Sequence, residues 1–285
     1  MAGDRFGIGW RPELAAGILA HRERLDLVEL IADDYFTAGR SALRALRTLG
    51  RELPLVVHGV SLGLASCTPA DPRRIEGMAR VVGLVEPEAW SEHLAFVRAG
   101  GREIGHLAAP VRCSATLQGL ARNVAAARRV VGTAPQLENV ATLVDPPGSD
   151  RDEASFLAAA LQASGGELLL DLHNLHANAA NFRFDAAAFL ERLPLERVGV
   201  VHVAGGRLIA ACDGRPRVLD DHLNAVPHPV FTLLELLARR APQPLTVILE
   251  RDGRFPPVAD LLAELDLARA AVARGHRARS GTRAA

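Results

Sequence analysis

The chain has 285 residues, 49% of them hydrophobic, which is enough for one large core and close to the roughly 250 residues of a single (β/α)8 barrel with short extensions. Its 33 basic residues, all arginine, balance 33 acidic ones, so no global field draws it to nucleic acid or to an anionic membrane, and no apolar run reaches the ~18 residues of a membrane span. The first residues lack a signal-like apolar core and the three cysteines, Cys67, Cys113 and Cys212, form no CxxC pair, so a cytoplasmic protein without a disulfide framework is expected.

In chain order, Phe6 to Trp10 reads as the first strand and Pro12 to Leu25 as the helix after it. Seven further pairs follow: Leu25 to Glu29 with Ser41 to Arg51, Leu53 to His58 with Pro72 to Val85, Ala89 to His93 with Ser114 to Val131, and Gln136 to Glu138 with Asp150 to Ser164. The last three are Glu167 to Asp171 with Asp185 to Leu193, Arg197 to His202 with Pro229 to Arg240, and Leu245 to Glu250 with Val258 to Val272. Ser41, Asp150 and Asp185 are candidate N-caps, and Pro12 and Pro229 suit first turns. Alternation of β and α elements gives a parallel sheet, and eight units close most readily into a TIM barrel. An open doubly wound sheet is the alternative, but no GxGxxG follows the first strand. Residues 1–273 are thus expected to form one catalytic barrel domain and residues 274–285, RGHRARSGTRAA from Arg274, a disordered basic tail. The stretch from Ala204 to His228 exceeds the usual ~2 to 6 residues of a βα loop, which suggests a lid or a donor of ligands.

Buried strands should stay apolar to their ends, yet seven of these eight end in His or an acidic residue. In a barrel, strand ends on the C-terminal face carry the chemistry. His58 precedes Gly59, and His93 closes a run ending Ser91-Glu92-His93; each alone could equally be a hydrogen-bonded core histidine. Glu138 could pair with an arginine inside the barrel, and Asp171 ends the run GELLLD, where an isolated carboxylate would suffer a large desolvation cost. After Asp171, one short loop is expected to offer His173, Asn174, His176, Asn178 and Asn181, while His202 leads into Gly205-Gly206. Asp220 and His222, two apart, face one side of an extended segment, and Glu250 ends LTVILE. Glu29, Asp34, His173, His176, Asn178 and Asn181 are candidates for substrate contact or for orienting ligands. Glu138, Asp171, Asp220 and Glu250 in one cavity would repel strongly without cations. Imidazole and carboxylate donors without thiolate suit iron, manganese or zinc in an open catalytic site.

The segments GIGWRPEL, DLVELIADDYF, VHGVSLGLAS, SEHLAF, LENVATL, LLLDLHNLHANAANF, VHVAGG, LDDHLNAVPHPV and VILERDGRFP occur in that order. Together they resemble the multinuclear non-heme iron-dependent oxidative enzymes, whose members include the methanobactin and thiaglutamate biosynthesis enzymes. The resemblance implies a xylose-isomerase-like barrel binding two or three iron ions of mixed ferrous and ferric state. It also implies O2 as co-substrate, a cysteine-containing ribosomally made precursor peptide as substrate, and a small partner protein that recognises the leader. No nucleic acid or membrane partner is implied. By position it implies metal ligands at His58, His93, Glu138, Asp171, Asn174, His202, Asp220, His222 and Glu250. His173 stands where the family frequently has Asn, and Asp33-Asp34 where it has Glu-Asn. Because the reacting thiol would belong to the peptide, Cys67, Cys113 and Cys212 are not expected to take part, although Cys212 lies in the long loop.

Two other classes fit the same residues. One is a zinc- or manganese-dependent hydrolase or sugar isomerase on the same barrel, similar to the trinuclear zinc endonucleases; a DNA-cutting member should carry a basic, aromatic face, and aromatic content here is 4%. The other is a non-catalytic subunit that docks a peptide without changing it.

Overall fold

A computed structural model of the chain describes residues 3–211 and 214–284, with side chains through Ser280. Its strands in chain order are β1 (Arg5–Gly9), β2 (Leu27–Ile31), β3 (Leu55–Gly59), β4 (Trp90–His93), β5 (Phe96–Ala99), β6 (Arg102–Ala108), β7 (Gln136–Glu138), β8 (Leu168–Asp171), β9 (Val198–Val203), β10 (Arg207–Ala210), β11 (Pro216–Leu219) and β12 (Thr246–Leu249). The helices are α1 (Ala15–Ala20), α2 (Arg40–Glu52), α3 (Pro72–Val85), α4 (Ser114–Val131), α5 (Glu153–Ser164), α6 (Leu172–Phe182), α7 (Ala186–Leu190), α8 (His228–Arg240) and α9 (Val258–Ala284). The sheet closes as β1-β12-β9-β8-β7-β4-β3-β2, the eight-stranded parallel barrel expected from the alternation. Each expected strand contains or overlaps one barrel strand, because Val, Ile and Leu runs suit strands buried on both faces.

Contacts cluster into two compact units. One comprises Met1–Asp26, Ala141–Asp145 and Leu170–Ala285; the other comprises Leu27–Val140 and Pro146–Leu169. In the second, Leu30, Val57 and Leu137 of the strands and Met78, Leu120 and Phe156 of the helices are all fully or almost fully buried. Parallel register sets His58 opposite Ser91 and His93 opposite Glu138, so strand pairing alone aligns three of the candidate ligands. In the first unit Val201, Ile248 and Leu249 are buried with Leu234, Leu261 and Leu265.

Several sequence expectations are corrected. Gly39, not Ser41, stands at the N-cap of α2, and Asp152, not Asp150, caps α5 by accepting from the Ser155 N–H at 2.9 Å, a contact worth about 1 kcal/mol. Asp185 does cap α7. The residues after Asp171 form the helix α6 rather than a loop: the Asp171 carboxylate accepts from the Asn174 N–H at 2.6 Å and so starts the helix. The long segment after Ala204 holds an antiparallel hairpin, β10 with β11. Cys212 lies outside the described residues. A second hairpin, β5 with β6, follows His93.

The tail expected to be disordered is instead the end of α9 through Ala284. Its composition is polar, but tertiary contacts hold it. At Gly275 the helix approaches α8 so closely that a Cβ would lie 2.8 Å from Ala238 Cβ, while His276 Nε2 meets the Asp4 carboxylate at 2.9 Å and Arg274 pairs with Glu235 at 2.6 Å.

Candidate metal centre

In the unit formed by Leu27–Val140 and Pro146–Leu169, His58 and His93, from the ends of β3 and β4, converge on Glu138 at the end of β7. Both Nε2 atoms lie 3.3 Å from Glu138 Oε2, and the two rings meet edge to face with centroids 4.5 Å apart. Their other ring nitrogens are already engaged. His58 Nδ1 shares a 2.8 Å hydrogen bond with Ser91 Oγ, and His93 Nδ1 donates to the Gly59 carbonyl at 3.1 Å. Such outer bonds fix ring orientation and leave Nε2 of each for a cation or a proton. Burial alone would push the His93 pKa down, but the charges of Glu138 and Glu92 outweigh it and raise it to about 9.

Glu92 itself is wholly buried, and burial raises its pKa. It accepts from the N–H groups of His93 at 2.9 Å and Leu62 at 3.0 Å, which ties the loop after β3 to the end of β4. A side chain at Gly59 would strike Glu92 Oε2 at 2.7 Å, so the glycine after His58 serves close packing.

The other unit assembles its own group. Asp171, His202 and Glu250 each offer a ligand atom, and these atoms lie within 4.8 Å of one another. His202 Nδ1 is 3.0 Å and His222 Nδ1 3.6 Å from Glu250 Oε2, while His222 Nε2 is 2.9 Å from Asp220 Oδ1. His173 Nδ1 donates to the same Asp220 oxygen at 2.8 Å. Burial opposes ionisation of Glu250, yet His202 and His222 hold its pKa down at about 2. His222 is pushed well above its ordinary value by Glu250 and Asp220 against the effect of burial, and Asp220 is held well below the carboxylate range.

His222 does not sit in the extended segment that residue spacing suggested. Its φ is +52°, in the left-handed region that disfavours a side chain bearing a Cβ, and the surroundings fix it there. Its Nδ1 donates to Asp252 Oδ2 at 3.0 Å, its carbonyl accepts from the Asp252 N–H at 3.0 Å, and Asp252 is in turn held by Arg11. The residues thus form a chain: Arg11, Asp252, His222, Asp220, His173.

Both groups suit a cation chemically. Glu250 Oε2 and His222 Nε2 are buried at ion-pair distance from partners but without the alignment of a hydrogen bond, an arrangement that costs energy unless a cation lies between them. Among the described residues the donors are nitrogen and carboxylate oxygen without sulfur, the set expected for an ion of the iron, manganese or zinc type.

The remaining sequence candidates separate by role. Asn174 is buried beside Asp171 and bonds it through its backbone N–H. Asn178 Oδ1 accepts from the Thr142 N–H at 2.9 Å. Asn181 exchanges two bonds with the Val218 backbone, at 2.8 and 3.0 Å, so both amides hold loops in place. His176 is half-buried, its ring 6.2 Å from that of His173, and burial lowers its pKa. Glu29 is buried on β2; Asp34 is exposed, and the neighbouring Asp33 instead accepts from the Val60 N–H at 2.9 Å. Sequence reasoning passed over Ser91, Glu92, Asp252 and Arg11. Asp252 was within reach, since it lies two residues beyond Glu250 and alternation places both on one side. Arg11 carried no local signal.

Comparison with known proteins gives the family and the fold. A UPF0276 protein of Bordetella bronchiseptica is 36% identical over 95% of this chain and 93% of its own length, and a UPF0276 protein of Caulobacter vibrioides is 33% identical over 96% of both. Among solved structures, the Escherichia coli 3-keto-D-glucoside 4-epimerase YcjR matches with a TM-score of 0.61 at 14% identity, covering 94% of this chain and 99% of that one. Endonuclease IV from Thermus thermophilus matches at 0.55 and 18%, covering 94% and 98%. At such identities the likeness is of fold, a xylose-isomerase-like barrel. The model of the RiPP precursor modification enzymes MbnB/TglH/ChrH matches residues 5–273, nearly the whole barrel with its strand-end histidines and carboxylates, and the chain is a member of that family of peptide-modifying enzymes.

Proposed function

We propose that this protein oxidises cysteine residues of a ribosomally made precursor peptide, using two or three iron ions and O2. The observation that carries the reading is the pair of buried imidazole and carboxylate groups at the strand ends, with no thiolate among the described residues of either. The ligands are His58, His93 and Glu138 in one group and Asp171, Asn174, His202, Asp220, His222 and Glu250 in the other. Bound iron would supply a position for the substrate thiolate and electrons for the reduction of O2.

The chain's own residues do the rest. Ser91 and the Gly59 carbonyl hold the His58 and His93 rings with Nε2 turned toward Glu138. Asp252, clamped by Arg11, holds His222, and Asp220 is held between His222 and His173. These contacts keep reacting positions fixed before substrate arrives, which is the protein's share of catalysis by proximity. A small leader-recognising partner protein and a cytoplasmic location belong to the same reading.

The test is metal analysis of protein purified without oxygen, followed by mass spectrometry of cysteine-containing candidate peptides incubated with it and air. At least two irons per chain and an oxygen-dependent mass change at cysteine are expected. Stoichiometric zinc that iron cannot replace, with no peptide product, would overturn the proposal in favour of a hydrolase.

A further inference from the structure

Helix α2, which carries none of the proposed ligands, has Arg40, Arg44, Arg47 and Arg51 at spacings of four, three and four, one stripe along the helix that borders the buried Leu43 and faces away from Leu49. Arg40, Arg44 and Arg47 line a recess of about 300 Å³ with Leu43, Arg80 and Leu84, and no acidic residue lines it. None of these three arginines makes an ion pair among the described residues, although many other arginines of this electrically neutral chain do. Arg80 provides a fixed wall, donating to the carbonyls of Phe36 at 3.1 Å and Ala38 at 2.7 Å.

The placement works against helix stability. The first turn of α2 contains no acidic residue, its N-cap Gly39 offers no side-chain acceptor, and Arg40 stands at the positive end of the helix dipole. An anion bound there would offset that unfavourable placement.

We propose that this recess docks an acidic segment of the peptide substrate, one that carries carboxylates about one helical turn apart with an apolar residue between them. Guanidinium groups one turn apart match carboxylates at the same spacing. Leu84, half-buried between the arginines, offers apolar surface that a peptide side chain covers and a nucleic-acid backbone does not; no aromatic residue lines the recess for base stacking. The inference rests on the family's peptide substrate and is independent of which metal the barrel binds.

The experiment uses the whole chain and a short fluorescein-labelled helical peptide bearing Glu at i, i+4 and Leu between, beside the same peptide with Gln for Glu, read by fluorescence anisotropy. The wild type should bind the Glu peptide, more weakly with added salt, and the triple variant R40Q/R44Q/R47Q should lose about tenfold in affinity, a few-fold per exposed charge pair. Unchanged circular dichroism and metal content in the variant show that its fold persists. Equal binding of the Glu and Gln peptides, or unaltered binding by the triple variant, overturns the proposal. So does single-stranded DNA that displaces the peptide and itself binds more tightly through the same arginines. Failure of the iron reading leaves all these outcomes unaffected, since binding requires no turnover.

Discussion

Metal binding to the His58, His93 and Glu138 group should strengthen steeply with pH. In the metal-free protein His93 keeps its proton up to about pH 9, because the charges of Glu138 and Glu92 outweigh burial. A cation that takes its Nε2 must displace that proton, so the apparent dissociation constant should fall tenfold per pH unit below about 9, or about 100-fold between pH 6 and 8, ~2.7 kcal/mol. His222, also raised, steepens the slope when the second group fills. Stability of the metal-free protein runs the other way. A folded pKa raised above 6.5 contributes stability that is complete below 6.5 and lost as pH climbs through about 9. The melting temperature of the apoprotein should therefore fall over that window while the gain on adding metal grows. Calorimetric titration of Fe2+ under nitrogen, in buffers of differing ionisation enthalpy, counts the released protons, and thermal melts with and without metal follow the stability. A pH-independent dissociation constant with no proton release between pH 6 and 8 would remove His93 from the ligands.

Three other consequences are measurable. Asp252→Asn should weaken metal affinity at the group containing His222 by ~10 to 100-fold, as loss of a carboxylate behind a ligating imidazole does, while the His58, His93 and Glu138 group keeps its ion; unchanged loading on equilibrium dialysis contradicts this. Glu250 and Asp252, both held at about 2 against ordinary values of 4.5 and 3.8, contribute stability present above those ordinary values and lost as pH falls toward 2, so urea midpoints of the apoprotein should drop most steeply between pH 4.5 and 2, and a flat profile there counts against the ion pairs. Asn181→Ala removes the buried amide that joins α6 to β11 and should cost about 2 to 3 kcal/mol with faster proteolysis of the β10–β11 hairpin; a loss below about 0.5 kcal/mol would mean those bonds are replaced by water.

The barrel was readable because its strands are apolar on both faces and its helices alternate with them, and α3 and α4 fall where the sequence placed them, Pro72–Val85 and Ser114–Val131. The strand-end histidines and carboxylates were visible for the same reason, since each interrupts a run that burial would otherwise keep apolar. What local pattern could not show was partnership. Asp252 and Arg11 meet across 241 residues of chain, and Asn178 and Asn181 resemble ligands by composition while their amides serve distant backbone groups. The end of α9 was misread because composition predicts how a segment behaves alone, and residues 274–279 are held by Glu235, Asp4 and the Ala241 carbonyl.

The hairpin Arg207–Leu219 is anchored at its base: Arg207 Nε meets Asp221 at 2.9 Å, Asn181 grips Val218, and the carbonyl of His222 is tied to Asp252 beyond β12. Both ends of the ribbon are thus held by contacts of Arg207, Val218 and Asp221, the last two close in sequence to Asp220 and His222. A substitution at the exposed Leu208 should therefore leave Asp220 and His222 in place, since neither is held through that side chain.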